Sequence, residues 1–223
     1  MNKISSRSKR AFLFLSVLSV FFLVGCVTLP PLNPNNPVAR VAVLPMVNNT
    51  NNLDGPVFVR EAFNTMVPSR YYETIDLKQI DEVLNQKFGV TQGEQLDFTN
   101  PGAGAPLPNK VGKDLMVDAL FYGTLIEFNQ VITGIYNKRQ VKAKFKLINC
   151  KTGEVMWEDE KNQSTQDFQL SLRGALEAVA KEVIVTAIAK AVKVNPLPNE
   201  TNAVVNMLLQ TIPSGPVAPK NSR

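Results

Sequence analysis

The chain has 223 residues, 24 basic and 19 acidic, with no histidine and two cysteines. The missing imidazole excludes histidine-based triads and histidine metal ligands, and Cys26 and Cys150 are too distant in sequence for a zinc knuckle. The formal charge of +5 is concentrated at the start: setting aside Lys3, Arg7, Lys9 and Arg10 leaves 20 of the 24 basic residues against 19 acidic ones, so no nucleic-acid partner is expected.

Those four cations open a secretory signal, residues 1–25. Residues 11–24 are uncharged and almost wholly apolar, but these 14 positions fall short of the ~20 needed for a membrane-spanning helix. The signal ends in Leu23-Val24-Gly25-Cys26, the pattern of a lipobox. The mature protein is therefore expected to begin at Cys26, with diacylglycerol on its sulfur and an acyl chain such as palmitate on its nitrogen. This covalent lipid is the only non-protein group expected, with no cofactor and no metal. Val27, in place of the aspartate that retains lipoproteins at the inner membrane, points to the outer membrane, with the domain facing the periplasm or exposed at the surface. Residues 26–38 hold prolines at 30, 31, 34 and 37 and read as an extended tether, the stretch 27–37 spanning roughly 30 Å at ~3.1 Å per residue.

A valine-rich run at 39–47 has the character of a buried strand, and a polar loop follows at 48–55. Pro56 opens a helix with Val59 and Phe63 inward, closed near Pro68, and a strand is expected at 71–75. Asp76 caps a second helix through Ile80, Val83, Leu84 and Phe88, which Gly89 ends. Residues 90–109 form a long irregular loop whose apolar points are Leu96 and Phe98. A short helix at 111–116 precedes strands at 119–130, 139–150 and 154–164. In the second of these, Val141, Ala143, Phe145 and Leu147 alternate with Lys142, Lys144 and Lys146. Lys151-Thr152-Gly153 forms the hairpin loop to the third strand, in a register that sets Lys146 opposite Glu158 and Lys144 opposite Glu160. A long amphipathic helix is expected at 172–194, with Leu176, Val179 and Val183 on its packed face. The folded domain is expected at 39–195, a C-terminal helix at 196–212 and a disordered tail at 213–223.

No phosphate-binding glycine loop and no Gly-x-Ser-x-Gly elbow occurs, so no enzymatic activity is expected. The lysine stripe reads as a solvated face neutralised by Glu158 and Glu160 rather than as an anion site. Glu158, Asp159 and Glu160 alternate in direction and offer too few oxygens on one face for calcium. Cys150 beside Lys151 reads as a small buried hydrophobe rather than a reactive thiol, and Trp157, alternating with Val155, as packing. Leu96 and Phe98 are candidates for a partner contact, with folding back onto the core as the alternative.

The segments VAVLPMVNNT (41–50), RYYETIDLKQIDEVL (70–84), DALFYGTLIEF (118–128) and LINCKTGEVMWE (147–158), in this order behind a lipobox, resemble an uncharacterised family of bacterial outer-membrane lipoproteins with a domain of unknown function. That family is related to the curli secretion lipoprotein CsgG and to the amino-terminal domain of TolB. The resemblance implies an α/β domain, a compact mixed sheet with helices packed against it, working in envelope assembly or export, and it agrees with the order βαβααβββαα read from the segments above. A CsgG-type channel inserts a long hairpin where this chain has only residues 131–138. Eight residues cannot supply two membrane-crossing strands of about ten each, so no transmembrane barrel is expected.

The function expected is that of a membrane-anchored periplasmic lipoprotein that binds another envelope protein as an accessory of export, transport or surface assembly. A homodimer would suit a self-associating sheet or helix face. Two alternatives remain: an activator of a cell-wall (peptidoglycan) synthase, or a small-ligand receptor using a sheet-edge cleft near residues 48–55.

Overall fold

The computed structural model describes residues 31–96, 107–133, 135–168 and 194–218, with isolated positions between 176 and 187. The lipobox Leu23 to Cys26, Phe98 and most of the expected helix at 172–194 lie outside the described residues. Leu32–Arg223 forms a unit of its own.

The valine-rich run makes two strands rather than one: β1 (Arg40–Val43) and β2 (Val47–Asn48). Pro45 between them has no N–H to give a ladder, so the chain leaves the sheet and re-enters two residues later. Helix α1 (Gly55–Met66) has Pro56 in its first turn and buries Val59 and Phe63. A 3₁₀ turn, Val67–Arg70, ends at Tyr71, whose φ of 66° is left-handed. That reversal cuts the expected strand at 71–75 down to β3 (Glu73–Thr74).

Helix α2 (Leu77–Phe88) is capped as expected, with the Asp76 carboxylate accepting from the backbone N–H of Lys78 at 2.9 Å and of Gln79 at 3.2 Å. Gly89 stops it with φ 66°. Helix α3 (Pro108–Leu115) starts earlier than expected, because Pro108 suits a first turn, and ends at Met116 with φ 55°. Three 14-residue strands follow: β4 (Ala119–Ile132), β5 (Tyr136–Asn149) and β6 (Val155–Phe168). Helix α4 (Pro198–Thr211) closes the fold and buries Val204, Val205, Leu208 and Leu209.

The sheet runs in the order β3-β1-β4-β5-β6, with β2 added beside β4. β1 is parallel to β3 and to β4, and β2 is parallel to β4, whereas β4, β5 and β6 are antiparallel. This is a mixed α/β sheet with two open edges, not a barrel. One face buries Val41, Val43, Phe121, Phe145 and Leu147 against α1 and α4, with Phe63 stacked on Phe145 at 3.9 Å. The other buries Ala42, Leu44 and Leu120 against α2 and α3. No helix among the described residues is long and apolar enough to cross a membrane.

Two expectations about packing fail. Leu176 and Val183, placed on the packed face of the helix at 172–194, are exposed; α4 packs on β5, β6 and α1. Val155 is also exposed, because a register shift between Leu147 and Ile148 ends the alternation while Trp157 stays packed against Phe121.

The ends of the unit are tied together, contrary to the free tether and the disordered tail. Tyr72 Oη donates to the Pro213 carbonyl at 2.7 Å and accepts from Asn36 Nδ2 at 3.0 Å. Asn36 Nδ2 also donates to the Ser214 carbonyl at 2.9 Å, and Arg70 donates to the Ile212 carbonyl. Backbone bonds from Gly215 N–H to Arg70 O (2.8 Å), Val217 N–H to Tyr71 O (3.0 Å) and Asn33 N–H to Gly215 O (3.0 Å) complete the clasp. Satisfied polar groups, with Val38 and Tyr72 buried beside them, hold a segment whose composition reads as linker.

Candidate functional site: a projecting sheet arm and a cleft at its base

The antiparallel part of the sheet outgrows the rest. β1 pairs with β4 only from Ala119 to Phe121, and β2 only at Thr124 and Leu125. The β4 to β5 ladder continues to Ile132 opposite Asn137, and β6 follows as far as Phe168 opposite Tyr136. Near the base of this extension, Phe128 of β4 packs near Phe58 of α1 with ring centroids 6.5 Å apart. Past it the arm carries apolar side chains into solvent: Val131 is 45% exposed, Ile135 67% and Phe168 65%, with the Phe168 ring 5.2 Å from that of Tyr136. Single exposed apolar residues are ordinary, but a group at a strand tip has the character of a contact surface.

The arm tip lies at the far end of β4 from Ala39 and Arg40. The N–H groups of Ala39 and Arg40 both donate to Asp118 Oδ2 at 2.9 Å, just before β4 begins. Fourteen residues of strand at ~3.3 Å each put the apolar tip about 45 Å from that junction.

The lysine stripe lies on the arm's base, in the expected register. Two of its ion pairs run diagonally, Lys142 to Glu160 at 2.7 Å and Lys144 to Glu158, while Lys146 approaches Glu158 straight across at 3.7 Å. The hydrogen bond from Lys144 holds the Glu158 carboxyl below its ordinary range against the opposing pull of burial. Asp159 faces the other side of the strand. Burial works to raise its pKa, but bonds from Lys161, Thr211 and the Glu160 N–H outweigh it and lower it. Thr211 Oγ1 donates to Asp159 at 2.6 Å and accepts from Trp157 Nε1 at 3.2 Å, joining the end of α4 to β6. This link was not foreseen, since its partners lie more than fifty residues apart.

Cys150 is buried at the hairpin base, where burial and then Asp118 push its thiol up to about 12. Leu96 is only 2% exposed and packs in the α2 and α3 core, so of the two readings offered for it, folding back is what occurs. Leu96 closes a 3₁₀ turn, Gly93–Leu96, anchored where the Asn48 N–H donates to Glu94 Oε1 at 2.8 Å. No group of three or more potential metal-binding His, Cys, Asp or Glu side chains is found among the described residues.

A cleft lies near residues 48–55, but beside β4 in the interior of the strand order rather than at a sheet edge. A cavity of about 310 Å³ opens between the Asn51 to Asp54 loop, Phe58, the β4 residues Phe128 to Gln130, and Leu197. The loop is fixed from within: Asn48 Oδ1 accepts from Thr50, and Asn52 Oδ1 accepts from the N–H groups of Asp54 (3.1 Å) and Gly55 (2.8 Å).

A family model, GNA1162-like, matches residues 33–217. The chain belongs to the GNA1162-like lipoprotein family. As a member it is a membrane-anchored protein of the cell envelope. The match starts and stops at residues of the clasp, Asn33 and Val217. Among solved structures, the lipoprotein GNA1162 of Neisseria meningitidis is 19% identical, with 68% of this chain and 99% of that one covered at a TM-score of 0.47. The hypothetical protein CT253 of Chlamydia trachomatis is 9% identical, covering 78% and 94% at 0.48. The LpoB C-terminal domain of Escherichia coli is 15% identical, covering 57% and 83% at 0.39. No curated protein matches the GNA1162-like chain.

Proposed function

We propose that this lipoprotein is a non-enzymatic docking protein, anchored by Cys26 to the outer membrane with its domain toward the periplasm, whose sheet arm engages another envelope protein as an accessory of export, transport or surface assembly. The observation that carries this reading is the arm itself: its apolar tip is exposed and sits at the opposite end of β4 from the tether junction. A surface that served the anchoring membrane would lie beside the tether. The resemblance to CsgG and the TolB amino-terminal domain belongs to this proposal, and so does the outer-membrane location. Activation of a cell-wall synthase is the rival reading. The clasp works against it, since fixing Asn33 and Asn36 leaves only residues 27–32 to reach from the lipid, about 20 Å at ~3.1 Å per residue.

A photo-crosslinking side chain placed at Ile135 or Phe168 in living cells tests the proposal. One discrete heterologous adduct with an export or transport component is expected, absent when the probe sits at the exposed Leu53. An adduct with a cell-wall synthase would favour the rival, and an adduct between two copies would make the arm a dimer contact. Labelling no stronger at the tip than at Leu53 would remove the basis of the proposal.

A further inference from the structure

We propose that the cavity at the base of the arm binds a neutral saccharide, an activity separate from docking by the arm tip. Its position is the first argument. β1 lies between β3 and β4; the chain leaves β2 through α1 toward β3 and returns through α2 and α3 to β4. Connections that part in this way open a crevice at the carboxyl end of the parallel strands, the usual place for ligands in such sheets. The loop that follows β2 supplies Asn51, Asn52 and Asp54 to this cavity.

The lining argues the ligand class. Phe58, Phe128 and Leu197 make an apolar floor, and Asn51, Asp54 and Asn129 stand at the rim. Among the described residues the side chains of Asn51, Asp54 and Asn129 have no hydrogen-bond or ion-pair partner within the fold, so two carboxamides and one carboxylate are available to a ligand. No lysine or arginine lines the cavity, and Asp54 repels anions; phosphate and acidic sugars are disfavoured. A pyranose ring matches what remains. One of its faces is C–H only and lies against an aromatic floor, and its hydroxyls both donate and accept, as carboxamides require. The volume of about 310 Å³ is at the small end of ligand sites and suits one or two sugar units.

The walls are set before any ligand arrives. Asn52 pins the loop to the first turn of α1, and Asn195 holds the other side, its Oδ1 accepting from the Leu197 N–H at 2.8 Å and its Nδ2 donating to Thr201 at 3.0 Å. A pre-formed site loses less entropy on binding.

Isothermal titration of the detergent-solubilised full protein with N,N′-diacetylchitobiose and with maltose tests the proposal. Binding of at least one in the range of about 1 mM or tighter is expected, weakened about tenfold by Asn129→Ala or Asn51→Ala. Both side chains are at the rim, so the variants should fold, and an unchanged melting temperature checks this. Heat from neither sugar at about 10 mM, binding unaffected by both variants, or preferential binding of tetramethylammonium, a cation suited to Asp54 over aromatic rings, would overturn it.

Discussion

At the residue scale the fold turns on a few polar side chains with distant partners. Tyr72 is buried and connects Asn36 to Pro213, neighbours 36 and 141 residues away in sequence. Tyr72→Phe keeps the ring against Phe121 and removes both bonds, which should lower stability by about 1–3 kcal/mol, measured by urea unfolding. Cys150 gives a second prediction. With its thiol pushed up to about 12 by burial and then Asp118, roughly one molecule in ten thousand is thiolate at pH 8, so iodoacetamide should label the native protein very slowly and the unfolded protein readily. The contrast shows what sequence reveals at this scale. Asp76, Gly89 and Gly153 were readable because their roles need only neighbouring backbone, and Gly89 and Gly153 sit at φ 66° and 76° as expected. Tyr72 and Thr211 were not, because nothing local distinguishes them from other half-polar residues.

At the element scale, the alternation in β5 fixed its inward face and its register with β6, since a shift by one residue would bury three lysines. The diagonal ion pairs were not legible, because lysine stems reach either neighbour across a twisted strand pair. These pairs set the acid response. Glu158 and Asp159 have folded pKa values below their ordinary 4.5 and 3.8, so their contribution is present above about pH 4.5 and is lost as the pH falls through the folded values. Thermal melts should show stability declining below about pH 4.5. Lys144→Met should reduce that decline while leaving the Asp159 share in place. Strand lengths were the weaker part of the reading: Pro45 divided one strand, the left-handed Tyr71 shortened another, and the arm runs two residues beyond the expected end of β4 and four beyond that of β6. Polar, alternating residues such as Asn162 to Gln166 pair as edge strand without the apolar signal that marks a core.

At the scale of the whole molecule, the clasp ties residues 33–36 to residues 212–217 through Arg70 and Tyr72. Gly215 is its tightest point: a Cβ there would meet the Tyr71 carbonyl oxygen at 2.2 Å. Gly215→Ala should therefore open the clasp without disturbing the sheet, seen as faster amide exchange at Val217, whose N–H bonds to Tyr71, with slow exchange kept in β4 and β5. The proline-rich composition hid this, since tether and tail each look like linker and only their meeting across Tyr72 orders them. Within the folded unit, the arm tip lies at the far end of β4 from the Asp118 junction. All of it presupposes a lipid at position 26. Mass analysis of the amino-terminal peptide from the membrane fraction is the direct test: the account predicts a chain that starts at Cys26 and carries diacylglycerol and an acyl group, whereas an unmodified Cys26 or retention of residues 1–25 would contradict it.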